Sequence, residues 1–244
     1  MSSFGNNVDD ASGALVPPNM LSLLPQPEGT NTTALMNLSF MQFFSPKFGI
    51  VVGKLYTLGG DDNAFAHNFR SDFVNPALDF NMTLALFPFS AYGGTLVFLP
   101  WEGAQFTVAV VDPSGTATNN DITEAFSTGV LVNAEGRVTI KPFGLVGHQL
   151  LGFGWSNKER LSLQQDPDNI ARLLLEKKFT RLADPGPLLR KILERFFPGL
   201  LVPAQPANTT SNTWSVYYNF DQFLWSPMGQ PDKGIGAFFR FGIS

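Results

Sequence analysis

Polar side chains recur at even spacing in several stretches of the sequence, and they are of types that could do chemistry. Tyr217, Asn219 and Asp221 are spaced by two, and Arg137 and Lys141 are spaced by four. In an extended strand, residues at even spacing lie on one face. Phenol, amide, carboxylate and cationic groups in one row can donate and accept hydrogen bonds. The pattern therefore predicts a surface that can bind polar molecules.

Arrangements typical of catalysis or metal binding do not occur in the sequence. It contains no nucleophile elbow, phosphate-binding loop or dinucleotide fingerprint, so we expect no cofactor. His67 and His148 are far apart and lack a third zinc ligand, and residues 61–63 lack the spacing of a calcium loop. A catalytic pair of carboxylates needs a defined separation that sequence does not reveal. We therefore expect neither a metal site nor an enzyme.

Short apolar stretches separated by turn residues begin at Ala34 and predict an all-β, antiparallel up-and-down chain. Residues 134–136 are predicted to form a tight turn between two strands. The connections alternate between short turns and longer polar stretches, as in β-barrels. About ten strands are predicted, at residues 34–44, 49–58, 81–89, 92–99, 104–111, 128–133, 137–143, 147–155, 214–224 and 234–243.

Alternation within these strands predicts one apolar and one polar face. Val138 and Ile140 alternate with charged and hydroxyl side chains, and in residues 234–243 aromatic side chains alternate with Arg240 and glycines. A soluble sandwich would also alternate, but its exterior is usually about a quarter or more charged. Only 15% of this chain is charged. The pattern favours strands with lipid on one side and water on the other.

The tryptophans fall at predicted strand ends, where membrane barrels carry aromatic girdles. The stretch from Trp214 to Trp225 spans roughly 36 Å of strand, or about 26 Å of height at 45° tilt, which matches an apolar band. Strict alternation would place these two tryptophans on opposite faces. A bulge, or a position in the following loop, is therefore predicted for one of them.

Two segments depart from the strand pattern. Residues 160–203 are predicted to form a two-helix insert, because Ile170, Leu173 and Leu174 lie at helical spacing and residues 187–197 repeat that spacing. Residues 1–33 are rich in Asn, Ser, Thr, Pro and Gly, and we expect them to form a loop or a frayed end.

Composition excludes several classes of protein. No run approaches the roughly 18 apolar residues of a spanning helix, and mean hydropathy is +0.04. The absence of cysteine excludes a disulfide scaffold and Cys-ligated zinc. A net charge of -4 offers no basic excess for phosphates, so nucleic acid is not an expected partner.

Four stretches together resemble the OprB-type carbohydrate-selective porins. They are GHQLLGFGWSNKERLSLQQDP at 147–167, the insert at 169–203, YYNFDQFLW at 217–225 and GIGAFFRFGIS at 234–244. The likeness is strongest over residues 147–244. It implies a transmembrane β-barrel in the bacterial outer membrane that passes small sugars by passive diffusion. It also implies a partial barrel, an internal fragment with about ten of roughly sixteen strands, because a secretion signal and the opening and closing strands are not recognisable.

The resemblance also gives the polar residues an expected role. Pore-lining arginines, carboxylates and aromatic faces would contact sugars, although such side chains could instead only pair with one another and hold the wall. Outer-membrane lipid and lipopolysaccharide are expected partners, and assembly into a homo-oligomer stays open. The residues expected to line the pore are Arg137, Lys141, Tyr217, Asn219, Asp221, Arg240 and, less directly, Lys54.

The basic residues of the insert admit two interpretations. Nine of the sixteen basic residues lie between Lys158 and Arg195, beside six acidic residues. Ion pairs along helix surfaces explain most of this charge. The alternatives that give these residues a specific function are binding of lipopolysaccharide phosphates at a rim of the barrel and constriction of the pore.

Two other functions remain as alternatives. A soluble or cell-surface β-sandwich that binds carbohydrate would also alternate, but would bury its Phe- and Val-bearing faces against a second sheet. A barrel that imports hydrophobic compounds would need an apolar lumen, which Arg137, Lys141 and Arg240 argue against.

Overall fold

The structure is a computed structural model whose residues divide into two compact units. The first unit comprises Met1–Lys158 and Asn212–Ser244, and the second comprises Glu159–Ser211. The structure describes residues 2–4, 32–57, 62–67, 72, 76–81, 83–84, 87–162, 164–178, 186–196, 205–230 and 233–244.

Strands dominate the first unit, and eight of them form one antiparallel sheet, which we call the main sheet. The strands in chain order are β1 (Ser2–Phe4), β2 (Thr32–Ala34), β3 (Leu38–Ser45), β4 (Phe48–Tyr56), β5 (Ser90–Phe98), β6 (Ala104–Val111), β7 (Leu131–Ile140), β8 (Gly147–Ser156), β9 (Arg160–Leu161), β10 (Thr209–Thr210), β11 (Thr213–Trp225) and β12 (Ile235–Ile243). The main sheet has the order β12-β11-β8-β7-β6-β5-β4-β3. Its neighbours follow chain order, apart from the small ribbon of β9 and β10, so the predicted up-and-down topology is confirmed.

The ends of the segment 1–33 include a small ribbon that the sequence did not predict. Strand β1 pairs with β2 in antiparallel register, with Ser3 opposite Thr33. Most of the segment that was expected to form a loop or a frayed end, residues 5–31, lies outside the described residues.

The main sheet has two chemically different faces. Cross-strand partners share a face, so the register of the ladders assigns each side chain. The polar face carries Asn133, Glu135 and Arg137 of β7, Ser215, Tyr217, Asn219 and Asp221 of β11, and Arg240 of β12. The apolar face carries the residues between them, among them Val132, Ala134, Val138, Trp214, Val216, Phe239 and Phe241.

Burial on these faces is the reverse of that in a water-soluble sheet. The side chain of Tyr217 on the polar face is fully buried, and Asn219 and Asp221 are also buried. On the apolar face, Phe241 is 55% exposed and Phe239 is similarly open. Soluble proteins rarely leave such a continuous apolar surface in water. The alternation between an apolar exterior and a polar interior, predicted from the sequence, is therefore confirmed.

A β-bulge brings the two tryptophans of β11 to the same face. The register between β11 and β12 shifts between Phe223 and Trp225, and Trp225 then pairs with Ile235 of the apolar face. Trp214 pairs with Trp155 at the other end of β11. The bulge that the spacing of these tryptophans required is present, because one extra residue restores the face that strict alternation would have changed.

Strand β7 corrects one prediction. The sequence predicted two strands, 128–133 and 137–143, joined by a tight turn at 134–136, whereas the structure has the single strand Leu131–Ile140. Glu135 pairs with Thr107 on one side and with Gly152 on the other. Gly136 is needed because a Cβ there would lie 2.9 Å from the ring of Phe106. The polar and glycine residues that indicated a turn instead serve the two faces of a strand.

Residues 81–89 correct a second prediction, because their described part is not a strand. A one-turn helix, α1 (Pro76–Asp79), precedes them. Two turns follow, with the amide of Leu84 bonded to Asn81 O at 2.9 Å and the amide of Phe87 bonded to Leu84 O at 2.9 Å. Turns use the amide groups that a strand would offer to its neighbour. With this strand absent and two predicted strands merged in β7, the main sheet has eight strands where about ten were predicted.

The connections differ between the two rims of the main sheet, which are formed by the ends of its strands. At one rim the strands are joined by residues 46–47, 99–103, 141–146 and 226–234. Aromatic side chains cluster near this rim, where the ring centroids of Phe44 and Phe48 lie 6.0 Å apart and those of Trp101 and Phe106 lie 6.3 Å apart. At the other rim the connections are residues 57–89, residues 112–130 and the stretch that contains the second unit. Short and long connections therefore separate, as predicted for a barrel.

The second unit contains two helices and a two-residue ladder. The helices are α2 (Pro167–Lys178) and α3 (Pro187–Phe196), close to the predicted bounds. Helix α2 begins at Pro167 because proline fits the first helical position and the Asp166 carboxylate accepts the amide of Asp168 at 3.0 Å. Strand β9 pairs with β10. None of the described helices is long and apolar enough to cross a membrane.

Residues 112–130 fold back over the apolar face beside Lys54. The Lys54 Nζ donates hydrogen bonds to Asn119 O at 2.7 Å, Asn120 Oδ1 at 2.7 Å and Ala117 O at 3.3 Å. The Tyr92 hydroxyl donates to Asn120 O at 2.8 Å. Lys54 is 2% exposed, so its charge is stabilised by these oxygens rather than by water. Lys54 thus holds the connection to the sheet.

Replacing Lys54→Met should release residues 112–130 while leaving the main sheet intact. Loss of the hydrogen bonds to a charged donor should cost about 2 kcal/mol of local opening free energy, or roughly 30-fold faster cleavage of the connection. Limited proteolysis with chymotrypsin, which can cut after the exposed Phe126, would measure the rate. The control is Lys47→Met, which removes an exposed lysine from a short turn. Equal rates for the two variants and the parent protein would contradict this role of Lys54.

Candidate functional site

Residues of the connection between β4 and β5 lie against the polar face of β11 and β12. The Ala64 amide donates to Asp221 Oδ2 at 3.4 Å, and the ring centroid of Phe65 lies 4.7 Å from that of Phe223. A Cβ at Gly236 would lie 2.0 Å from the Phe65 ring, so this position of β12 has room only for glycine. The described part of residues 62–84 therefore forms an inner layer, which we call the inner connection.

Arg240 provides the largest set of hydrogen bonds to the inner connection. Its guanidinium donates to Ala66 O at 2.6 Å, Leu78 O at 2.7 Å and Asp79 O at 3.2 Å. The guanidinium carbon also lies 5.2 Å from the ring centroid of Phe238 on the same strand. A planar guanidinium with five donors can serve several carbonyl groups at once. Arg240 thus joins the C-terminal end of α1 and the turn at Ala66 to β12.

Asn81 makes a second attachment further along the inner connection. Its amide nitrogen donates to Asn219 Oδ1 and to Phe241 O, each at 2.8 Å. Its amide oxygen accepts hydrogen bonds from the amide and the hydroxyl of Thr83. Both polar atoms of the buried Asn81 side chain are therefore satisfied, which removes the penalty for burying an amide.

A carboxylate and a histidine form a further polar pair on this face. His148 Nδ1 lies 2.7 Å from Asp221 Oδ1, and Asp221 also accepts the Ala64 amide. His148 and Asp221 are register partners on β8 and β11. The Asp221 carboxylate therefore links two strands of the wall to the inner connection.

Tyr217 belongs to a hydrogen-bond network that lies within the main sheet itself, and we call this sheet the wall where its polar face is meant. The Tyr217 hydroxyl oxygen lies 2.5 Å from Glu135 Oε1 and 2.9 Å from Asn133 Oδ1, so its single proton is placed between two acceptors. The ring passes over Gly152, where a Cβ would lie 2.1 Å from Tyr217 Cζ. Three neighbouring strands, β7, β8 and β11, are tied together by this one side chain.

Arg137 differs from Tyr217, Asn219 and Asp221, which are buried, because it is partly exposed. Its guanidinium donates to Asp62 O at 3.0 Å. Its register partner on β6 is Gln105, an exposed residue, and Glu135 lies on the same face two residues earlier. An accessible guanidinium, amide and carboxylate therefore adjoin one another, and together they can donate to and accept from hydroxyl groups.

The structure brings together five of the seven residues that the sequence selected. Arg137, Tyr217, Asn219, Asp221 and Arg240 share the polar face. Among the described residues, the hydrogen bonds of Tyr217, Asn219, Asp221 and Arg240 go to the wall or to the inner connection. Their geometry fits the alternative in which lumen-facing polar groups hold one another.

Lys54 and Lys141 lie elsewhere. The register of β4 and β5 pairs Lys54 with Tyr92 and puts it on the same side as Val52, which is the apolar face. Strand β7 ends at Ile140, and Lys141 is an exposed residue before the 310 turn Pro142–Gly144. Proline lacks an amide donor and restricts the preceding residue, so the strand stops there. Neither lysine is placed on the polar face, in contrast to the expectation from sequence.

Several residues of the site were not selected from the sequence. Asn133 and Glu135 alternate with Arg137, and that spacing was visible but was interpreted as a turn. The inner connection, with Phe65 and Asn81, gave one signal: it is much longer than a hairpin loop and contains no second run of alternating residues.

Metal chemistry has no support in the described part of the chain. No group of three or more His, Asp or Glu residues there is arranged to hold a metal ion. The arrangement offers fixed hydrogen-bond donors and acceptors on a wall.

Comparisons with known proteins agree with this arrangement. The sequence model of the OprB family, described as carbohydrate-selective porins, matches residues 2–244. A structure of OprB from Pseudomonas putida determined at high pH has the same fold, with a TM-score of 0.58 and 14% sequence identity. The match covers 88% of this chain and 46% of that one, so this chain spans less than half of its length. No curated protein sequence matches. This chain belongs to the OprB family of carbohydrate-selective porins.

Proposed function

We propose that this chain forms part of the wall of an outer-membrane channel through which carbohydrates diffuse passively. The observation that carries the proposal is the reversed burial of the main sheet. Its apolar face is exposed, and its polar face is covered by the inner connection. Hydrocarbon can cover the apolar face without cost, while the polar face borders an aqueous passage. The family supplies carbohydrate as the class of molecule that permeates.

The same observation argues against a soluble carbohydrate-binding sandwich. Such a fold would bury the apolar face against a second sheet. Phe239 and Phe241 of this face instead remain exposed in the described part of the chain. A lumen suited to hydrophobic compounds is equally disfavoured, because the polar face carries Arg137, Glu135 and Asp221.

We assign different roles to the polar residues according to their partners. Arg137, with Gln105 and Glu135 beside it, is accessible and would contact the hydroxyl groups of a passing sugar. Arg240 and Asn219 would position the inner connection and thereby set the width of the passage. Guanidinium donors and carboxylate acceptors suit hydroxyl groups, which can accept and donate hydrogen bonds.

The whole chain would contribute to one barrel rather than to separate domains. Residues 34–158 and 212–244 would form its wall, and residues 160–203 would be a helical insert in a connection. The order of the main sheet supports this organisation, because β8 and β11 are direct neighbours although the second unit lies between them in the chain.

Bilayer recordings test the proposed function. The product of the whole gene, reconstituted in a planar bilayer, should conduct ions, and added mono- or oligosaccharides should reduce the current in a saturable manner. Sugars would occupy the passage and exclude ions while bound. A current that no sugar reduces would refute carbohydrate selectivity, and the absence of any conductance would refute the channel itself.

Sugar block should depend on Arg137 and not on Lys141. Arg137→Met should weaken block about tenfold, because one hydrogen bond from a charged donor, worth about 1.5 kcal/mol, is lost. Lys141→Met removes the same charge four residues away, in an exposed turn, and should leave block unchanged. Titration of the current with sugar gives both affinities. Equal loss in the two variants would mean that net charge, not contact, determines block.

Arg240 should control the width and steadiness of the passage. Arg240→Met removes the bonds to Ala66, Leu78 and Asp79, so the inner connection should detach and single-channel currents should become larger and noisier. Arg240→Lys keeps the charge but cannot serve three carbonyl groups in the same plane. It should therefore behave like the methionine variant. Normal recordings from Arg240→Lys would show that charge rather than attachment is what matters.

A further inference from the structure

Helix α3 of the second unit exposes an apolar stripe. Leu188, Ile192 and Phe196 are spaced by four, so they follow one another along one side of the helix. All three are exposed, and Leu188 is 77% exposed. Leu193, on the adjoining side, is 5% exposed. The side that carries Leu193 is therefore already covered, and the stripe is an additional apolar surface.

Basic side chains border this stripe on one side. Lys191 and Arg195 lie one turn apart and next to it on the helix. The guanidinium carbon of Arg195 lies 5.6 Å from the ring centroid of Phe196. Long basic side chains beside exposed Leu, Ile and Phe are typical of helices that lie in the boundary between lipid chains and anionic headgroups.

The charge of the second unit has the sign that such a surface requires. Residues 159–211 contain eight basic and six acidic residues, so their formal charge is +2. The remainder of the chain contains eight basic and fourteen acidic residues and carries -6. The positive charge is concentrated in the unit that exposes the stripe. An anionic surface would attract this unit while repelling the rest of the chain.

A second copy of the chain fits the stripe less well. Two α3 helices packed stripe to stripe would bring Lys191 and Arg195 of both copies to the same seam. Like charges along a seam destabilise helix pairs. Phosphate groups would instead neutralise both residues.

The chain enters and leaves the second unit beside paired tryptophans. Trp155 and Trp214 are register partners on the apolar face, near the end of β8 and the start of β11. Tryptophans on a lipid-facing surface favour the interface between hydrocarbon and water.

We propose that α3 lies on the outer leaflet, with Leu188, Ile192 and Phe196 among the acyl chains and with Lys191 and Arg195 bound to lipopolysaccharide phosphates. This inference rests on the proposed outer-membrane location. It gives the insert a membrane-anchoring role in addition to the role of the wall.

Site-specific fluorescence on the whole gene product tests this placement. This chain has no cysteine, so Ile192→Cys and Glu194→Cys can each carry an environment-sensitive fluorophore. These positions lie about 200° apart around the helix. The labelled protein is placed in nanodiscs of phosphatidylcholine containing brominated lipid, with or without lipopolysaccharide. With lipopolysaccharide, the probe at 192 should be quenched at least about twofold more than the probe at 194.

Charge reversal separates headgroup binding from simple contact with lipid. In the Ile192→Cys background, Lys191→Glu with Arg195→Glu should abolish the increase in quenching that lipopolysaccharide produces. Equal quenching at 192 and 194, or quenching that does not depend on lipopolysaccharide, would overturn the proposal. Protection of the probe at 192 by self-association would overturn it in favour of contact between copies. Sugar block measured on the same preparation distinguishes failure of this inference from failure of the proposed function.

Discussion

A β-strand gives its side chains only two directions, and this two-residue period governs the first unit. In β11, one direction carries Trp214 and Val216, which remain exposed, and the other carries Tyr217, Asn219 and Asp221, which are buried. The ladder with β12 continues the apolar face through Phe239 and Phe241, which are also exposed. Even the irregularity in β11 respects it, because the bulge before Trp225 returns that side chain to the apolar face. Lipid on one side and water on the other satisfies both faces.

The polar face poses a second problem, because its groups need partners wherever water is excluded. The inner connection supplies them with backbone carbonyl and amide groups. Arg240 binds three carbonyl oxygens, Asn219 binds Asn81, and Asp221 binds both His148 and the amide of Ala64. The attachments are mutual. Side chains of the main sheet provide hydrogen bonds to backbone groups of the inner connection, and these backbone groups provide partners for the polar side chains of the sheet. In the proposed channel, such fixed groups would give the passage a defined width, and Arg137 would be the group that exchanges partners with a permeating molecule.

The two faces also receive different coverings from the long connections. The inner connection lies on the polar face, whereas residues 112–130 fold over one end of the apolar face, where Lys54 bonds to their carbonyl oxygens. A lysine on a lipid-facing strand is costly unless its charge is neutralised or hydrogen-bonded. The connection removes that cost at the edge of the sheet. In the second unit, the basic side chains of α3 remain at the surface beside apolar ones, which is the combination that an anionic lipid boundary accommodates.

The sequence by itself determined the features that depend on short-range periodicity. Alternation predicted the two faces, turn residues predicted most strands, helical spacing predicted α2 and α3, and the distance between Trp214 and Trp225 required the bulge. It misjudged residues 134–136, since a polar residue beside a glycine has the same local signature in a turn and in a strand whose one face is polar. Only the tertiary structure decided which partners each polar side chain has. Arg240 and Arg137 look alike in sequence, yet the Arg240 guanidinium donates to Ala66 O, Leu78 O and Asp79 O, whereas the Arg137 guanidinium donates to Asp62 O at an exposed position. The partners of Arg240 lie more than 160 positions away in the chain, and no local pattern encodes a contact at that distance.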